Sequence, residues 1–273
     1  MNYIKIIVIS LGLILISACS QQKSANEIKV GTISGPETQL METAKDVALK
    51  KYGLQVDIVE FSDYNMPNTA LNDGSIDANM FQHQPYLDQV IKDKHYDLVA
   101  VGKTFIYPMG IYSSKINSIN DVHMKDIVAI PDDPSNEARA LLLLQKAGLI
   151  TLKAGVGATA TPLDIASNPK QLQVKELDAA QLPRVLPDVV LAVINTNYAI
   201  PAGLMPNPPK GVKPSSKDAL VVEGSDSLYA NLVVVRTADK NNPQFKELVD
   251  ALHSPEVLQA AQQLFNGQAI PAW

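Results

Sequence analysis

The sequence predicts an α/β fold of two lobes, each built on a mostly parallel sheet covered by helices. Strand-like and helix-like segments alternate from residue 27 to the end of the chain, which is the pattern of parallel strands joined by crossover helices. Apolar residues make up 46% of the 273 residues, enough to form a packed core. A chain of this length favours two lobes over one, because single hydrophobic cores stop growing near this size.

The first strand–helix–strand unit is the clearest part of the pattern. Residues 27–33 (EIKVGTI) predict a strand, and residues 36–52 predict a helix that starts at Pro36 and ends before Gly53. Residues 54–61 alternate apolar and polar side chains, as a strand does. Further strands are predicted over residues 76–81, 98–101, 127–130, 172–177, 189–194, 220–222 and 232–235. Further helices are predicted over residues 85–94, 135–147, 243–253 and 255–265.

Two interruptions in the middle of the chain predict where it passes between the lobes. The tetrapeptide YPMG ends at Gly110 and interrupts an apolar run, and a second crossover is expected near residues 225–232. Residues 205–216 hold four prolines and no hydrophobic periodicity, which predicts a loop. We therefore assign residues 27–108 together with 230–273 to lobe 1, and residues 109–229 to lobe 2.

The N-terminus predicts an exported lipoprotein. An apolar run over residues 6–16 follows Lys5 and spans about 16 Å as a helix, half of the ~30 Å hydrocarbon core of a bilayer. Residues 1–18 are thus predicted to be a signal peptide. The motif ISAC resembles a lipobox and ends at Cys19, the single cysteine of the chain. We expect a lipid on Cys19 and a tether over residues 19–26; an incidental cysteine beside an ordinary cleavage site is the alternative.

Composition and motif spacing argue against several functions. The net charge of −5 leaves no basic footprint for nucleic acid, and one cysteine excludes an intrachain disulfide. The four histidines lack metal-ligand spacing, so no metal site is predicted. Residues 155–160 (GVGATA) match a loose dinucleotide pattern without a good preceding strand, which predicts a loop and no cofactor. No motif supplies an activated nucleophile, which weakens an enzymatic function without excluding it.

Aromatic residues concentrate in one part of the chain. Eight of the 15 phenylalanines, tyrosines and tryptophans lie between residues 61 and 112. Phe81 and His83 are two residues apart and face the same side of an extended segment, and Tyr86 follows Pro85 at a predicted helix start. We predict that Phe81, His83 and Tyr86 line an apolar wall with polar tips; core packing is the alternative.

Arg139 is the most informative charged residue. We expect Ser135 to cap the following helix, which places Arg139 in the first or second turn, where a cation opposes the helix dipole. The helix beyond it is apolar on all sides, so the guanidinium needs a partner. A ligand carboxylate bound through two parallel hydrogen bonds and a salt bridge to a nearby Asp or Glu are equally consistent with the sequence.

Two asparagines lie at strand ends. Asn195 follows the predicted strand over residues 189–194, at the carboxyl end where α/β proteins place ligand groups. Asn231 precedes the apolar run over residues 232–235. An amide carries donors and an acceptor, so either residue suits an ammonium or a carboxylate. A turn or strand-end hydrogen bond is the alternative for each.

Two segments are specific enough to indicate a family. FQHQPYL at residues 81–87 and PSNEARALLLLQ at residues 134–145 are accompanied by IKVGTISGPE, LAVINTNYA, YANLVVVR and FNGQAIPAW. Together they resemble the MetQ/NlpA family of substrate-binding lipoproteins, which serve methionine ABC importers. The resemblance extends over residues 27–273. It implies a two-lobed, type II-like periplasmic-binding-protein fold with a ligand cleft between the lobes, and a binding function without catalysis.

The resemblance also implies a site and partners. Arg139 would bind the ligand carboxylate, and Asn195 and Asn231 would bind its polar end. The remaining lining would comprise Tyr64, Phe81, His83, Tyr86 and Asn136. The implied ligand is methionine or a close analogue, with L-methionine first. The implied partners are an ABC permease with its ATPase, and a membrane of the bacterial envelope reached through the lipid, facing the periplasm or the cell exterior.

Two departures from the family pattern bear on the ligand. Glu137 and Ala138 precede the arginine, where a glycine is expected, and the loop over residues 206–216 is longer than expected. They leave open the choice between L-methionine, D-methionine and a methionyl dipeptide. An exported enzyme, with His83 as its base, and a surface adhesin are the alternative functions of the same two-lobed fold.

Overall fold

The computed structural model of the chain describes residues 26–206, 215, 217–224 and 228–273. The strands are β1 Glu27–Ile33, β2 Gln55–Phe61, β3 Ala78–His83, β4 Leu98–Ile106, β5 Gly110–Tyr112, β6 Ile127–Pro131, β7 Thr151–Leu152, β8 Ile165–Ser167, β9 Gln173–Leu177, β10 Leu191–Ile194, β11 Val221–Val222, β12 Ala230–Arg236 and β13 Ile270–Pro271. The α-helices are α1 Pro36–Tyr52, α2 Met66–Asn72, α3 Gln84–Lys94, α4 Pro134–Lys146, α5 Leu182–Val185, α6 Thr196–Ala199, α7 Pro243–Leu252 and α8 Pro255–Leu264.

The predicted N-terminal features lie outside the described residues. These features are the signal peptide over residues 1–18, the lipidated Cys19 and the tether up to residue 25. Most of the proline-rich loop over residues 206–216 lies outside them as well. In the part of the chain that the structure describes, no helix combines the length and the apolar character needed to cross a membrane.

The first strand and helix have the bounds that the sequence predicts, and β2 begins one residue later than predicted. β1 and α1 begin and end at the expected residues. Pro36 occupies the first turn of α1, and Gly53 ends the helix in the left-handed conformation with φ of 67°. That conformation is strained for residues with a Cβ atom, so the glycine is a direct cause of the helix end. β2 then runs parallel to β1.

Both main sheets are mixed, and in the described residues antiparallel strand pairs are at least as numerous as the parallel pairs that the sequence predicted to dominate. The six-stranded sheet has the order β13-β4-β12-β3-β1-β2, and the five-stranded sheet has the order β11-β5-β10-β6-β9. β1 is parallel to β2 and β3, and β6 is parallel to β9 and β10. β12 is antiparallel to both β3 and β4, because the chain re-enters the first sheet between them after it has formed the second sheet.

Each sheet buries its own hydrophobic core, which makes the fold two-lobed. In the first lobe α1, α7 and α8 pack on the six-stranded sheet through side chains such as Leu40, Leu248 and Val257. In the second lobe α4 packs on the five-stranded sheet, with Leu141 and Leu144 fully buried. Burial of this apolar surface is the main stabilising contribution to each lobe. The chain passes between the sheets after β4 and again after β11.

β4 extends five residues beyond its predicted end at residue 101. Gly102 interrupts the apolar pattern, which is why the sequence indicates an end there. In the structure a Cβ atom at position 102 would lie 2.6 Å from Val249 Cγ2 of α7. The glycine therefore allows the helix to approach the strand, and β12 continues the pairing beyond it. The elements that sequence patterns did not predict are α2, α5, α6, β5, β7, β8 and β13, all of seven residues or fewer.

Candidate functional site

The cleft between the two sheets contains a small cavity. The eight side chains that the sequence analysis assigned to a ligand site all line this cavity: Tyr64, Phe81, His83, Tyr86, Asn136, Arg139, Asn195 and Asn231. They come from both lobes, because the ends of β3 and β12 in one lobe meet the end of β10 and the start of α4 in the other. Four more residues line the same cavity: Gln82, Tyr107, Thr196 and Asn197.

α4 begins at Pro134, one residue earlier than predicted, and a different residue caps it. Asp133 caps the helix, not Ser135, because Pro134 takes the first helical position that proline favours. The Asp133 carboxylate accepts a hydrogen bond from the backbone N–H of Asn136 at 3.0 Å, and Ser135 donates its hydroxyl to the same carboxylate. Arg139 consequently lies in the second turn of α4.

One wall of the cavity is a cluster of tilted and edge-on aromatic rings. The ring centroids of Tyr64 and Phe81 lie 5.8 Å apart, and those of Phe81 and Tyr86 lie 5.6 Å apart. Tyr198 packs on Tyr64 at 4.9 Å. The Tyr86 hydroxyl donates to the Tyr64 carbonyl oxygen at 2.9 Å, and burial raises the pKa of both phenols, so both remain neutral. This wall suits an apolar or sulfur-containing side chain.

His83 is a neutral structural element of the wall. Its Nδ1 accepts the backbone N–H of Tyr86 at 3.3 Å and caps α3. The ring proton therefore lies on Nε2, which donates to Asn136 Oδ1 at 3.3 Å. Burial, together with the nearby Arg139 charge, lowers the pKa of His83 to about 3. A histidine with that pKa is a weak base at neutral pH, which argues against His83 as the base in the enzyme alternative.

Asn136 connects the two lobes through its side chain. Its Nδ2 donates to both Asp133 carboxylate oxygens, at 2.9 and 3.0 Å, and this fixes Oδ1 on the opposite side. Asn136 Oδ1 accepts from His83 of lobe 1 and from Asn195 Nδ2 of lobe 2, the latter at 2.9 Å. Because the side-chain NH₂ group of Asn195 donates to Asn136, the acceptor Oδ1 of Asn195 points away from Asn136.

Arg139 forms a salt bridge to Glu223, and such a bridge was one of the two alternatives that the sequence left open. Its Nε donates to Glu223 Oε1 at 2.7 Å, and its Nη2 donates to Glu223 Oε2 and to the Tyr107 carbonyl oxygen. The guanidinium also lies 4.3 Å from the centre of the Tyr229 ring. Nη1 takes part in none of the hydrogen bonds of the described residues. Arg139 thus combines a fixed position with donors that remain for a further acceptor.

Glu37 is a buried acid at this site that the sequence analysis did not identify. It is 1% exposed, and its two carboxylate oxygens accept from Asn231 Nδ2 and Asn197 Nδ2, each at 2.7 Å. Burial is the largest cause that raises its pKa, to about 8. In the sequence Glu37 follows Gly35 and Pro36 at a helix start, where any acid is favourable with the helix dipole. That signal does not distinguish it from an ordinary first-turn acid.

Several buried polar atoms of the cavity lining have no hydrogen-bond partner among the described residues. They include Asn195 Oδ1, Asn197 Oδ1 and the Tyr107 hydroxyl. An unsatisfied buried acceptor destabilises a protein by about 1–3 kcal/mol. Two amide acceptors that line one cavity therefore favour an occupant that donates hydrogen bonds. Among the described residues, no group of three His, Cys, Asp or Glu side chains is placed to hold a metal ion.

The fold and the cavity together define a class of protein. Two lobes, each with its own sheet and core, enclose a small polar and aromatic cavity at their junction. This is the architecture of the two-lobed solute-binding proteins, in which a small ligand is enclosed between the lobes.

Comparison with known proteins identifies the family. The model of the NlpA lipoprotein family matches residues 28–273, and the chain belongs to this family. It is 51% identical over 266 residues to the D-methionine-binding lipoprotein MetQ of Salmonella typhimurium, an alignment that covers 96% of this chain and 95% of the relative.

Two solved structures have the same fold. One is a periplasmic substrate-binding protein of an ABC transporter from Coxiella burnetii, with 61% identity and a TM-score of 0.84 over 90% of this chain and 100% of that one. The other is a nutrient-binding protein from Burkholderia cenocepacia bound to methionine, with 50% identity and a TM-score of 0.85 over 90% of this chain and 100% of that one.

Proposed function

We propose that this protein captures methionine in the cleft and delivers it to a cognate ABC permease, while a lipid on Cys19 holds it to a membrane outside the cytoplasm. The observation that carries the proposal is the cavity itself, which sets aromatic rings on one side against a guanidinium and unsatisfied amide oxygens on the other. The methionine-bound relative from Burkholderia cenocepacia supports the choice of ligand.

The polar atoms suggest one orientation of the ligand. The α-carboxylate accepts from Arg139 Nη1, and the α-ammonium donates to Asn195 Oδ1 and Asn197 Oδ1. The thioether then lies against the rings of Phe81 and Tyr86, where each sulfur–aromatic contact contributes about 0.3–1.5 kcal/mol. In this orientation the carboxylate faces a donor and the ammonium faces acceptors, and the cavity needs no covalent chemistry.

The lobes have different parts in this proposal. We take residues 27–108 with 230–273 as lobe 1, and residues 109–229 as lobe 2. Lobe 1 supplies the aromatic wall, and lobe 2 supplies Arg139 and Asn195. A ligand that contacts both lobes favours the closed form by its differential affinity for that form, and the permease would recognise that closed form.

Calorimetric titration of the purified protein with L-methionine, D-methionine and methionyl-glycine tests the proposal, with L-leucine as the control. We expect saturable binding of at least one methionine compound and a matching rise in melting temperature. Mass spectrometry of the released ligand should return it unchanged. Absence of binding for all three compounds, or a modified ligand, would contradict the proposal.

A further inference from the structure

We propose that Glu37 is a positioning residue that makes the cleft selective for ligands with a free α-amino group. It does so by holding the amides of Asn197 and Asn231 with their nitrogens turned away from the ligand and their oxygens turned towards it. This inference rests on the proposed function, because it specifies how the same cavity recognises one end of an amino acid.

The geometry fixes which atom each amide can present. Glu37 accepts one hydrogen bond on each carboxylate oxygen, from Asn231 of β12 and from Asn197 of α6. The ionised form of Glu37, which a bound ammonium favours, offers acceptors alone, so in that form it selects the NH₂ group of each amide. Asn197 Oδ1 is then buried without a partner, and the Asn231 NH₂ group is engaged by Glu37 in the same way. Both residues line the cavity, so their oxygens are available to a donor there.

The position of Glu37 is itself determined by the backbone. Gly35 precedes α1 with φ of 125°, a conformation that favours glycine, and Pro36 starts the helix. Glu37 therefore lies in the first turn of α1, directly beneath the junction of the lobes. Asn197 belongs to lobe 2 and Asn231 to lobe 1, so the carboxylate joins the two lobes at the point where the ligand is enclosed.

The charges around Glu37 also favour a ligand with an ammonium group. No cation pairs with Glu37 among the described residues, and the titratable groups around it are the phenols Tyr64, Tyr107 and Tyr198. The charge of the more distant Arg139 is compensated by Glu223. A ligand ammonium on the other side of the two amides would therefore be the missing counter-charge. Since burial raises the pKa of Glu37 to about 8, an ammonium that favours the ionised form should expel a proton.

The decisive experiment compares Glu37→Gln with the wild-type protein for two ligands, L-methionine and its desamino analogue 4-(methylthio)butanoate. A glutamine donates as well as accepts, so one amide must turn its nitrogen into the cavity. We expect methionine affinity to fall at least about tenfold, equivalent to roughly 1.4 kcal/mol, while affinity for the desamino analogue changes much less. Equal losses for both ligands, or no loss, would overturn the inference.

The matched control is Glu42→Gln, which makes the same charge change at an exposed position of the same helix. It should leave both affinities unchanged. If the wild-type protein binds no methionine, the proposed function fails and the inference fails with it. If the wild-type protein binds methionine and the ratio of the two affinities is the same in Glu37→Gln, the inference alone fails.

A second measurement needs no folded variant. Calorimetry of methionine binding to the wild-type protein near pH 7, in two buffers of different ionisation enthalpy, reports the protons released. We expect a release that approaches one proton, and an affinity that rises with pH towards about 8. Binding without proton release would contradict the coupling between the ionisation of Glu37 and the ligand ammonium.

Discussion

Arg139 and Glu223 form a bidentate ion pair in the wall of the cleft. Nε and Oε1 are 2.7 Å apart, Nη2 and Oε2 are 2.5 Å apart, and the two side chains are 4% and 11% exposed. Glu223 follows β11, where the chain turns back to lobe 1, and Glu223 Oε2 also accepts the backbone N–H of Met109 in the other crossover. The ion pair therefore joins the proposed carboxylate-binding residue to both connections between the lobes.

Replacement of Arg139 should be the most damaging change to binding. We expect Arg139→Ala to weaken methionine binding by about 3–5 kcal/mol, because a desolvated ligand carboxylate would lose its charged partner. Calorimetry measures the effect, and Arg184→Ala provides a control in which an exposed arginine of α5 is removed. Near-wild-type affinity in Arg139→Ala would remove this residue from the site.

Replacement of Glu223 should show whether the Arg139 guanidinium binds a ligand carboxylate in addition to Glu223. Glu223→Gln keeps the size of the side chain but leaves the Arg139 charge uncompensated, so the melting temperature should fall. The same uncompensated charge should increase the preference for methionine over methioninamide severalfold. Titration with both compounds measures that preference. An unchanged or smaller preference would show that the guanidinium does not bind a carboxylate.

The stability of the free protein should depend on pH through Glu37. Burial raises its pKa from 4.5 to about 8 in the folded state. The folded state thus holds the proton more tightly than the unfolded chain, so the stabilising contribution is complete below about pH 4.5 and is lost as pH rises through about 8. Glu137, with a pKa raised to about 7, acts in the same direction.

Melting curves of the ligand-free protein between pH 6 and 9 measure this effect. We expect the wild-type melting temperature to fall more steeply with pH than that of Glu37→Gln, in which Glu137 still titrates. Parallel curves for the two proteins would mean that Glu37 does not titrate in this range.

The aromatic wall should bind a ligand with a thioether sulfur more tightly than one with a methylene group in its place. Phe81→Leu keeps an apolar surface but removes one ring, so methionine should lose about 0.3–1.5 kcal/mol of affinity relative to norleucine. Competition between the two ligands for the variant and for the wild-type protein measures the difference. An unchanged preference would place the thioether away from Phe81.

The anchor can be tested by fractionation. We expect Cys19→Ala to leave the protein in the soluble fraction, because the proposed lipid attachment site is absent. Western blotting of membrane and soluble fractions measures the distribution. A variant that sediments with membranes as the wild-type protein does would exclude Cys19 as the anchor.

The sequence predicted long elements well because their signals are local. α1 is bounded by Pro36 and Gly53, and both act through backbone geometry that any context shares. Short elements such as α6 carry too few residues for a period to be visible. The predicted capping residue of α4 was wrong because Asp133 and Ser135 are both good capping residues. Pro134 at the first helical position decides in favour of Asp133.

The sequence by itself determined the fold class, the long secondary-structure elements and the residue types of the cleft, because periodicity, capping residues and family-specific segments are written in neighbouring positions. Only the tertiary structure decided that Glu223 is the partner of Arg139 and that Glu37 joins Asn197 to Asn231. These contacts join pairs of residues that are separated in the sequence by 84, 160 and 194 positions. They lie at the junction of two lobes, where burial strengthens the interactions between polar side chains.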